Sequence, residues 1–191
     1  MTETVIQTEN SFLTLTTFKK PRLMAQCVGE INSLLNVKPE IKIFGKVCKQ
    51  RRDVGFFSDE SIGYKYSGQM ARSIPLTPGL IQLLLFINKK FGARFNGILI
   101  NRYNDGTEYI SAHGDDERNL DDIGVVAISY GASRIFRIRD KNKEIIEDIE
   151  TCDNKIIHMG GDFQKEFTHE IPIQRHVDEE RYSFTFRKHM E

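Results

Sequence analysis

The feature that most constrains the fold is a change of hydrophobic period near residue 95 of this 191-residue chain. Before it, two runs carry apolar residues at helical spacing, one opening at Pro21 and the other at Pro78. Proline fits the first turn of a helix, and Gly92 after the second run predicts the end of that helix. After it, short runs rich in β-branched and aromatic residues alternate with turn signals such as the Asn-Asp-Gly at 104–106. This pattern predicts two helices followed by about eight strands.

The eight predicted strands cover residues 95–103, 109–113, 124–130, 133–139, 144–149, 154–158, 167–171 and 181–188. Helices followed by many short strands are typical of an α+β protein, here a double-stranded β-helix (jelly roll) with N-terminal helices packed on one sheet. A chain of this length can bury one sizeable core. We predict a disordered N-terminal tail over 1–11 and a single domain over 12–191, with the jelly-roll core at 95–188.

Composition limits the class of protein. Hydrophobic residues make up 39% of the chain and charged residues 28%, which is typical of a globular protein and argues against general disorder. No apolar run approaches the roughly 18 residues of a membrane span, and the N-terminal residues do not resemble a secretory leader. Three cysteines without a paired motif favour a reducing compartment. We expect a soluble, intracellular protein of the nucleus or cytoplasm that does not bind membranes.

The net charge is zero, which excludes binding of polyanions by bulk charge. Residues 38–52 nevertheless hold six basic side chains against Glu40 alone, a local net charge of +5. Such a run is either an ordinary solvated face or a strip that grips phosphates on an otherwise neutral molecule. Both interpretations stay open at this point.

One predicted strand ends in a metal-ligand pattern. His113 and Asp115 are two residues apart, so their side chains share one face of an extended segment. A third ligand must come from elsewhere, and the remaining histidines are His158, His169, His176 and His189. Of these, His169 lies in a short predicted strand. Two histidines and one carboxylate form the facial triad of Fe(II) oxygenases, although an isolated pair with this spacing is also common by chance on surfaces.

The last predicted strand carries a second pattern. Alternation places four polar residues on one face and three aromatic residues on the other: Arg181, Ser183, Thr185 and Arg187 against Tyr182, Phe184 and Phe186. Arginines on the inner face of a β-sandwich need an anionic partner, because a buried unpaired charge is strongly unfavourable. A dicarboxylate would supply that partner, since guanidinium binds carboxylate bidentately. The alternative is an ordinary amphipathic strand with its arginines in water.

Together these motifs resemble the AlkB family of Fe(II)- and 2-oxoglutarate-dependent dioxygenases, and most of all its duplex-DNA-repair branch. The resemblance runs from about Phe44 to Arg187 and rests on four ordered motifs at 101–106, 113–117, 169–172 and 181–187. It implies that His113, Asp115 and His169 bind Fe(II). It also implies that 2-oxoglutarate is held by Asn101, Tyr103, Arg181 and Arg187, with Arg181 at the distal carboxylate.

The resemblance further implies oxidative demethylation of N-alkylated bases such as 1-methyladenine and 3-methylcytosine in DNA, with release of succinate, CO2 and formaldehyde. The implied recognition lid covers residues 40–70, and the implied substrate contacts are Phe44, Arg52, Tyr64, Tyr66 and Glu117. Phe44 would enter the base stack from a hairpin at 43–46, unless it is simply a core residue. Tyr66 would stack on the flipped base, with the His113 ring on the base's other side.

Tyr64 and Glu117 would contact the edge of that base. A carboxylate such as Glu117 favours a cationic alkylated base, and the alternative is that it only balances Arg118 on a loop. One stretch departs from the branch: residues 174–176 are followed by the acidic Asp178-Glu179-Glu180, where duplex-DNA members often carry basic residues. Three acids repel phosphate, which raises single-stranded DNA or RNA as the substrate.

The nearest alternative function is therefore an RNA base demethylase of the same mechanism. A binding module without turnover is disfavoured because all three implied ligands and both arginines are intact. A protein hydroxylase is disfavoured by the implied base-contacting residues. We expect the protein to act as a monomer on nucleic acid.

Overall fold

A computed structural model describes residues 2–43, 45–61, 63–66, 69–115 and 123–189, with the backbone alone at 43, 64–66 and 69–71. In chain order the elements are β1 (Glu3–Gln7), β2 (Ser11–Thr17), α1 (Pro21–Ile31), β3 (Glu40–Ile43), β4 (Lys46–Lys49), β5 (Asp53–Phe57), β6 (Gly63–Tyr66), β7 (Gln69–Arg72), α2 (Pro78–Phe91), β8 (Gly97–Tyr103), β9 (Ile110–His113), β10 (Val125–Gly131), β11 (Arg134–Arg139), β12 (Ile145–Thr151), β13 (Lys155–Gly161), α3 (Phe163–Glu166), β14 (Thr168–Ile171) and β15 (Arg181–Arg187).

Both predicted helices form where the prolines indicated. Each has proline in its first turn, and the Thr77 side chain accepts a hydrogen bond from the backbone N–H of Leu80 at the start of α2. Gly92 ends α2 in the left-handed conformation, with φ of 63°, as the sequence predicted. A residue with a Cβ is strained there, whereas glycine is not. Among the described helices, none is long and apolar enough to cross a membrane.

The eight predicted strands coincide with β8 to β15 to within a few residues at their ends. The prediction of a disordered tail over residues 1–11 is wrong, because residues 3–7 form β1 and pair with β2 in antiparallel register. In β2 the alternation of Thr and Leu buries Leu13 and Leu15, and Ile6 of β1 is buried with them. β2 in turn pairs with β13, so this part of the chain is ordered by a partner far away in the sequence.

The described strands form two main sheets. The larger has the order β1-β2-β13-β10-β15-β8-β5 and the smaller the order β12-β11-β14-β9. Their inner faces meet over a cluster to which the larger sheet contributes Leu13, Val125 and Ile157 and the smaller contributes Phe136 and Ile138. Two face-to-face antiparallel sheets with strands exchanged in this order confirm the α+β jelly roll.

The two long helices cover the outer face of the larger sheet. Met24 and Ile31 of α1 and Leu83 and Ile87 of α2 pack in one buried cluster with apolar side chains of β8, β10 and β15. Tyr182, Phe184 and Phe186 of β15 belong to this cluster. Since successive strand residues face opposite ways, the other residues of β15 point between the two sheets. That alternation, predicted from the sequence, aims the arginines at the interior.

Candidate active site

The metal-ligand candidates meet because β14 pairs with β9. In that antiparallel ladder His169 lies directly opposite His113. Asp115 follows β9 by two residues and is buried beside both rings. One nitrogen of each histidine and one carboxylate oxygen all lie within 4.8 Å of one another. The smaller sheet thus selects His169 from the four histidines that the sequence left open.

The orientation of the rings suits metal binding. The Nδ1–H of His113 donates to the carbonyl of Ser111 at 2.8 Å, which leaves the Nε2 lone pair free to face Asp115. The His169 ring stacks on Phe136 with centroids 5.1 Å apart, and its Nε2 lies 3.7 Å from the second Asp115 oxygen. A hydrogen bond to one ring nitrogen fixes which nitrogen can bind a metal. For His113 this hydrogen bond leaves Nε2 to bind the metal, and in both rings Nε2 is the nitrogen that faces the Asp115 carboxylate, at 3.9 and 3.7 Å.

The protonation states also fit a divalent metal. Burial lowers the pKa of His169 to about 3, so its ring is neutral at physiological pH. Burial alone raises the pKa of Asp115, but the Arg187 guanidinium, with smaller contributions from the two imidazoles, outweighs it and holds that pKa well below its usual range. Neutral imidazole and ionised carboxylate are the forms that bind a metal. Two nitrogens and one oxygen are the donor set of Fe(II) oxygenases.

A second group of polar residues lies on neighbouring strands of the larger sheet. β15 pairs with β8 so that Arg181 lies opposite Tyr103 and Ser183 lies opposite Asn101. All are largely shielded from solvent, and Arg181 and Tyr103 are buried almost completely. The two strands thus bring together the residues that the family resemblance assigned to 2-oxoglutarate.

Arg181 has unused hydrogen-bonding capacity. Its Nη2 donates to Ser129 Oγ at 2.8 Å, while its buried Nε and Nη1 have no hydrogen-bond partner among the described residues. Burial lowers its pKa to about 10, so the guanidinium is still charged at neutral pH. A buried cation with free N–H groups is unfavourable unless an anion binds it. The carboxylate of 2-oxoglutarate fits this requirement.

Arg187, at the other end of β15, serves the metal end of the site. Its Nη2 contacts Asp115 Oδ1 at 2.9 Å, and its side chain is buried. The guanidinium therefore holds the ligating carboxylate in place and keeps it ionised. Arg181 and Arg187 thus occupy the two ends of one strand face, separated by Ser183 and Thr185.

The metal-ligand candidates and the polar group around Arg181 open into one cavity of about 710 Å³ between the sheets. It is lined by His113, Asp115, His169, Asn101, Tyr103, Ser183, Arg181 and Arg187. Residues before and after the predicted lid hairpin, including Glu40, Ile41, Gln50 and Arg52, complete its wall. The cavity is large enough to hold a dicarboxylate together with part of a further ligand.

Of the predicted substrate contacts, the structure describes Arg52 in full. Its Nε donates to Asn101 Oδ1 at 2.8 Å, and both side chains are buried. Arg52 thus lies deep in the cavity wall rather than on the exposed part of the basic strip. The hairpin predicted at 43–46 forms, with Ile43 opposite Lys46 and Gly45 at φ of 79°.

Phe44 and Glu117 lie outside the described residues. Tyr64 and Tyr66 belong to β6, which pairs with β7, and the structure describes their backbone but not their side chains. Their predicted roles in base recognition stay predictions.

Two residues that contribute to the site were missed from the sequence. Gln164 of α3 accepts the backbone N–H of Asp115 on its Oε1 at 2.9 Å and so orients the ligand turn. Arg134 of β11 is fully buried near Tyr103. Nothing in the local sequence marks Gln164, a polar residue in the short helix α3, as a contact of the site. The alternation of Arg134 with Phe136 and Ile138 on one strand face, however, could have marked Arg134 as inward-pointing.

Known proteins are similar to this chain in sequence and in fold. DNA oxidative demethylase ALKBH2 from Mus musculus is 28% identical over 177 residues, covering 87% of this chain and 74% of that protein. ALKBH2 from Homo sapiens is 27% identical over 168 residues, covering 83% of this chain and 64% of that protein, less than two thirds of its length. Alpha-ketoglutarate-dependent dioxygenase alkB homolog 3 from Rattus norvegicus is 31% identical over 120 residues, covering 58% of this chain and 41% of that protein.

A solved structure of OsALKBH1 has a TM-score of 0.57 at 14% identity, covering 96% of this chain and all of that one, which shows a shared fold. The model of the 2OG-Fe(II) oxygenase superfamily matches residues 20–187. That match includes the three candidate metal ligands and both arginines of β15. The chain belongs to the 2OG-Fe(II) oxygenase superfamily and is an Fe(II)- and 2-oxoglutarate-dependent dioxygenase that resembles AlkB homologues.

Proposed function

We propose that this protein is an oxidative demethylase of N-alkylated bases in DNA, with 1-methyladenine and 3-methylcytosine as its substrates. The observation that carries the proposal is the shared cavity: the metal ligands, the 2-oxoglutarate candidates and the base of a lysine-bearing hairpin all line it. The similarity to relatives named DNA oxidative demethylase supports the same activity.

His113, Asp115 and His169 would hold Fe(II), and Arg181 with Tyr103 and Asn101 would hold 2-oxoglutarate beside it. Bound iron and 2-oxoglutarate supply the oxidising power, consuming O2 and releasing CO2 and succinate. Arg187 keeps the Asp115 carboxylate ionised and oriented, and the hydrophobic wall at Phe136 shields the His169 ring from water. Hydroxylation of the N-methyl group yields a product whose C–N bond then breaks, which releases formaldehyde and the unmodified base.

The basic hairpin supports nucleic acid as the substrate. β3 and β4 carry Lys42, Lys46 and Lys49, and the described residues of β4 are exposed. Exposed lysines beside a deep cavity are suited to hold phosphates while a base enters the cavity. These lysines belong to the strip of net charge +5, and Gln50 and Arg52, which follow the hairpin in the chain, line the cavity.

RNA is the second candidate substrate, because of one specific feature. Asp178, Glu179 and Glu180 are exposed on the loop before β15, where they would repel a second phosphate backbone. A substrate without a complementary strand avoids this repulsion. The same oxidative reaction would then act on a methylated base of single-stranded RNA.

A panel of oligonucleotides tests the proposal. Single- and double-stranded DNA and RNA, each with one 1-methyladenine or 3-methylcytosine, are incubated with Fe(II), 2-oxoglutarate and O2, and the products are read by mass spectrometry. We expect loss of one methyl group with equimolar formaldehyde and succinate on DNA. Faster loss on RNA would favour the second candidate, and succinate release with no change in any oligonucleotide would exclude both. The His169→Ala variant is the matched inactive control.

A further inference from the structure

A third arginine lies behind the 2-oxoglutarate candidates. Arg134, the first residue of β11, is 1% exposed and is one of the largest fully buried side chains of the described chain. It does not line the cavity; Tyr103, which does, lies next to its guanidinium.

Arg134 is solvated by neutral oxygens. Its guanidinium donates to the carbonyls of Asp105, Glu108 and Pro172 at 3.0, 2.8 and 2.8 Å, and its Nε contacts Gln174 Oε1 at 3.3 Å. The Glu108 carboxylate pairs instead with Lys38, at 2.6 Å. Among the described residues, no carboxylate forms an ion pair with Arg134. Its direct contacts are thus all with neutral oxygens, and the Asp105 and Glu108 carboxylates act on it only over longer distances.

The charge of Arg134 is close to that of Arg181. Both guanidinium carbons lie near the Tyr103 ring, at 5.7 Å for Arg134 and 5.5 Å for Arg181. The two carbons are therefore at most about 11 Å apart, a distance over which buried charges interact strongly. The charge of Arg134 also contributes to the lowered pKa of Arg181. Two buried cations that share one aromatic ring repel each other unless an anion binds beside them.

Arg134 also joins the two sheets. Asp105 and Glu108 follow β8, which carries Tyr103, whereas Pro172 follows β14, which carries His169. Joining the two sheets needs only hydrogen bonds, and a neutral side chain could donate some of them. The positive charge of Arg134 is not required for this, and burying it costs free energy, which indicates a further role for the charge.

We propose that Arg134 is a positioning residue for the cosubstrate: its charge, acting through Tyr103 and Arg181, favours 2-oxo acids that carry a distal carboxylate. The distal carboxylate, bound at Arg181, offsets the repulsion between the two guanidinium groups. A 2-oxo acid without the distal carboxylate gains nothing from Arg134. The inference rests on the proposed role of Arg181 in holding 2-oxoglutarate and is independent of which substrate is oxidised.

The test measures binding without turnover. Protein loaded with Mn(II) in the absence of O2 is titrated by calorimetry with 2-oxoglutarate and, separately, with pyruvate, which keeps the 2-oxo acid group but lacks the distal carboxylate. The variants are Arg134→Met, which removes the charge, and Arg134→Lys, which keeps it but loses most of the hydrogen bonds. Arg137→Met is the matched control, since Arg137 lies on the same strand and pairs with Asp148 at the surface.

We expect Arg134→Met to weaken 2-oxoglutarate binding about tenfold and to leave pyruvate binding within about twofold, whereas Arg134→Lys keeps the preference within about threefold. Arg137→Met should match the parent. The proposal would be overturned if Arg134→Met weakened the binding of 2-oxoglutarate and of pyruvate equally, or if it left the preference for 2-oxoglutarate over pyruvate unchanged. Arg134 would then serve only to join the two sheets. An Arg134→Lys variant that loses the preference as fully as Arg134→Met would also overturn the proposal.

If Arg134→Met does not fold, Arg134→Gln takes its place, because it is neutral yet keeps two N–H donors. No oligonucleotide enters the titration, so a failure of the DNA demethylase proposal leaves this result unchanged. A lowered melting temperature alone, with the preference for 2-oxoglutarate intact, would also count against the proposal.

Discussion

Replacing Arg181 by lysine tests the assignment of the cosubstrate end of the cavity. Arg181 uses Nη2 to contact Ser129 and presents buried Nε and Nη1 groups that have no hydrogen-bond partner among the described residues. Lysine keeps the positive charge but has a single nitrogen and cannot form two parallel bonds to a carboxylate. We therefore expect Arg181→Lys to weaken 2-oxoglutarate binding selectively.

The magnitude follows from the contacts that are lost. A hydrogen bond to a charged group contributes about 1.5–3 kcal/mol, and lysine gives up at least one such bond to the carboxylate. That loss corresponds to roughly a 10- to 150-fold rise in the dissociation constant of 2-oxoglutarate. The Ser129 contact is lost as well, so a modest drop in melting temperature is expected alongside.

Calorimetry on Mn(II)-loaded protein measures the 2-oxoglutarate affinity, and fluorescence anisotropy with a labelled methylated oligonucleotide measures substrate affinity. Arg137→Lys, a substitution at a half-buried residue paired with Asp148, is the control and should change neither. If the oligonucleotide affinity falls in Arg181→Lys while the 2-oxoglutarate affinity holds, Arg181 contacts the substrate and the reasoning is refuted.

His169→Ala should abolish formaldehyde release and weaken Fe(II) binding while circular dichroism stays unchanged, because one of three ligands is lost; undiminished turnover would contradict the metal assignment. If Phe44 fills the gap left by a flipped base, Phe44→Ala should slow demethylation of double-stranded DNA far more than that of single-stranded DNA, by a rise in activation free energy of a few kcal/mol at most. Equal losses of activity on both substrates, with the free energy of unfolding reduced by roughly 3–5 kcal/mol, would show that Phe44 is a core residue. Lowering the pH should destabilise the metal-free protein: burial lowers the pKa of His169 from 6.5 to about 3, so between these values only the unfolded state binds the proton. From this group alone, urea unfolding at pH 5.5 should give a free energy about 1.4 kcal/mol below that at pH 7.5, and an unchanged value would indicate that the ring is not buried.

Much of the candidate site follows from local sequence because strand alternation is a local property. Residues i and i+2 share a face whatever lies around them, so Arg181 and Arg187 could be placed on one face of a strand, and His113 and Asp115 together. The structure has the same alternation, with aromatic residues of β15 against the helices and polar residues in the cavity. Proline and glycine at the ends of α2 are equally local signals, and they marked its limits correctly.

Contacts between distant segments were beyond such reasoning. The N-terminal residues were predicted to be disordered because they are mostly polar, yet β1 pairs with β2, and β2 pairs with β13. Gln164 contacts the Asp115 backbone only because α3 folds back under the end of β9. Gly106 is required because a Cβ there would lie 1.8 Å from the carbonyl oxygen of Gln174, a neighbour that the turn motif does not reveal.

The sequence by itself determined helices α1 and α2, the strands β8 to β15, the two faces of β15 and the chemical types of the ligands, since each depends on residues a few positions apart. Only the tertiary structure decided which histidine completes the triad, because His169 becomes a neighbour of His113 through the pairing of β14 with β9. It likewise decided that Arg134 stands behind Tyr103. Hydrogen bonds between strands and burial of charge depend on which distant segments meet, and that is determined by packing of the whole chain.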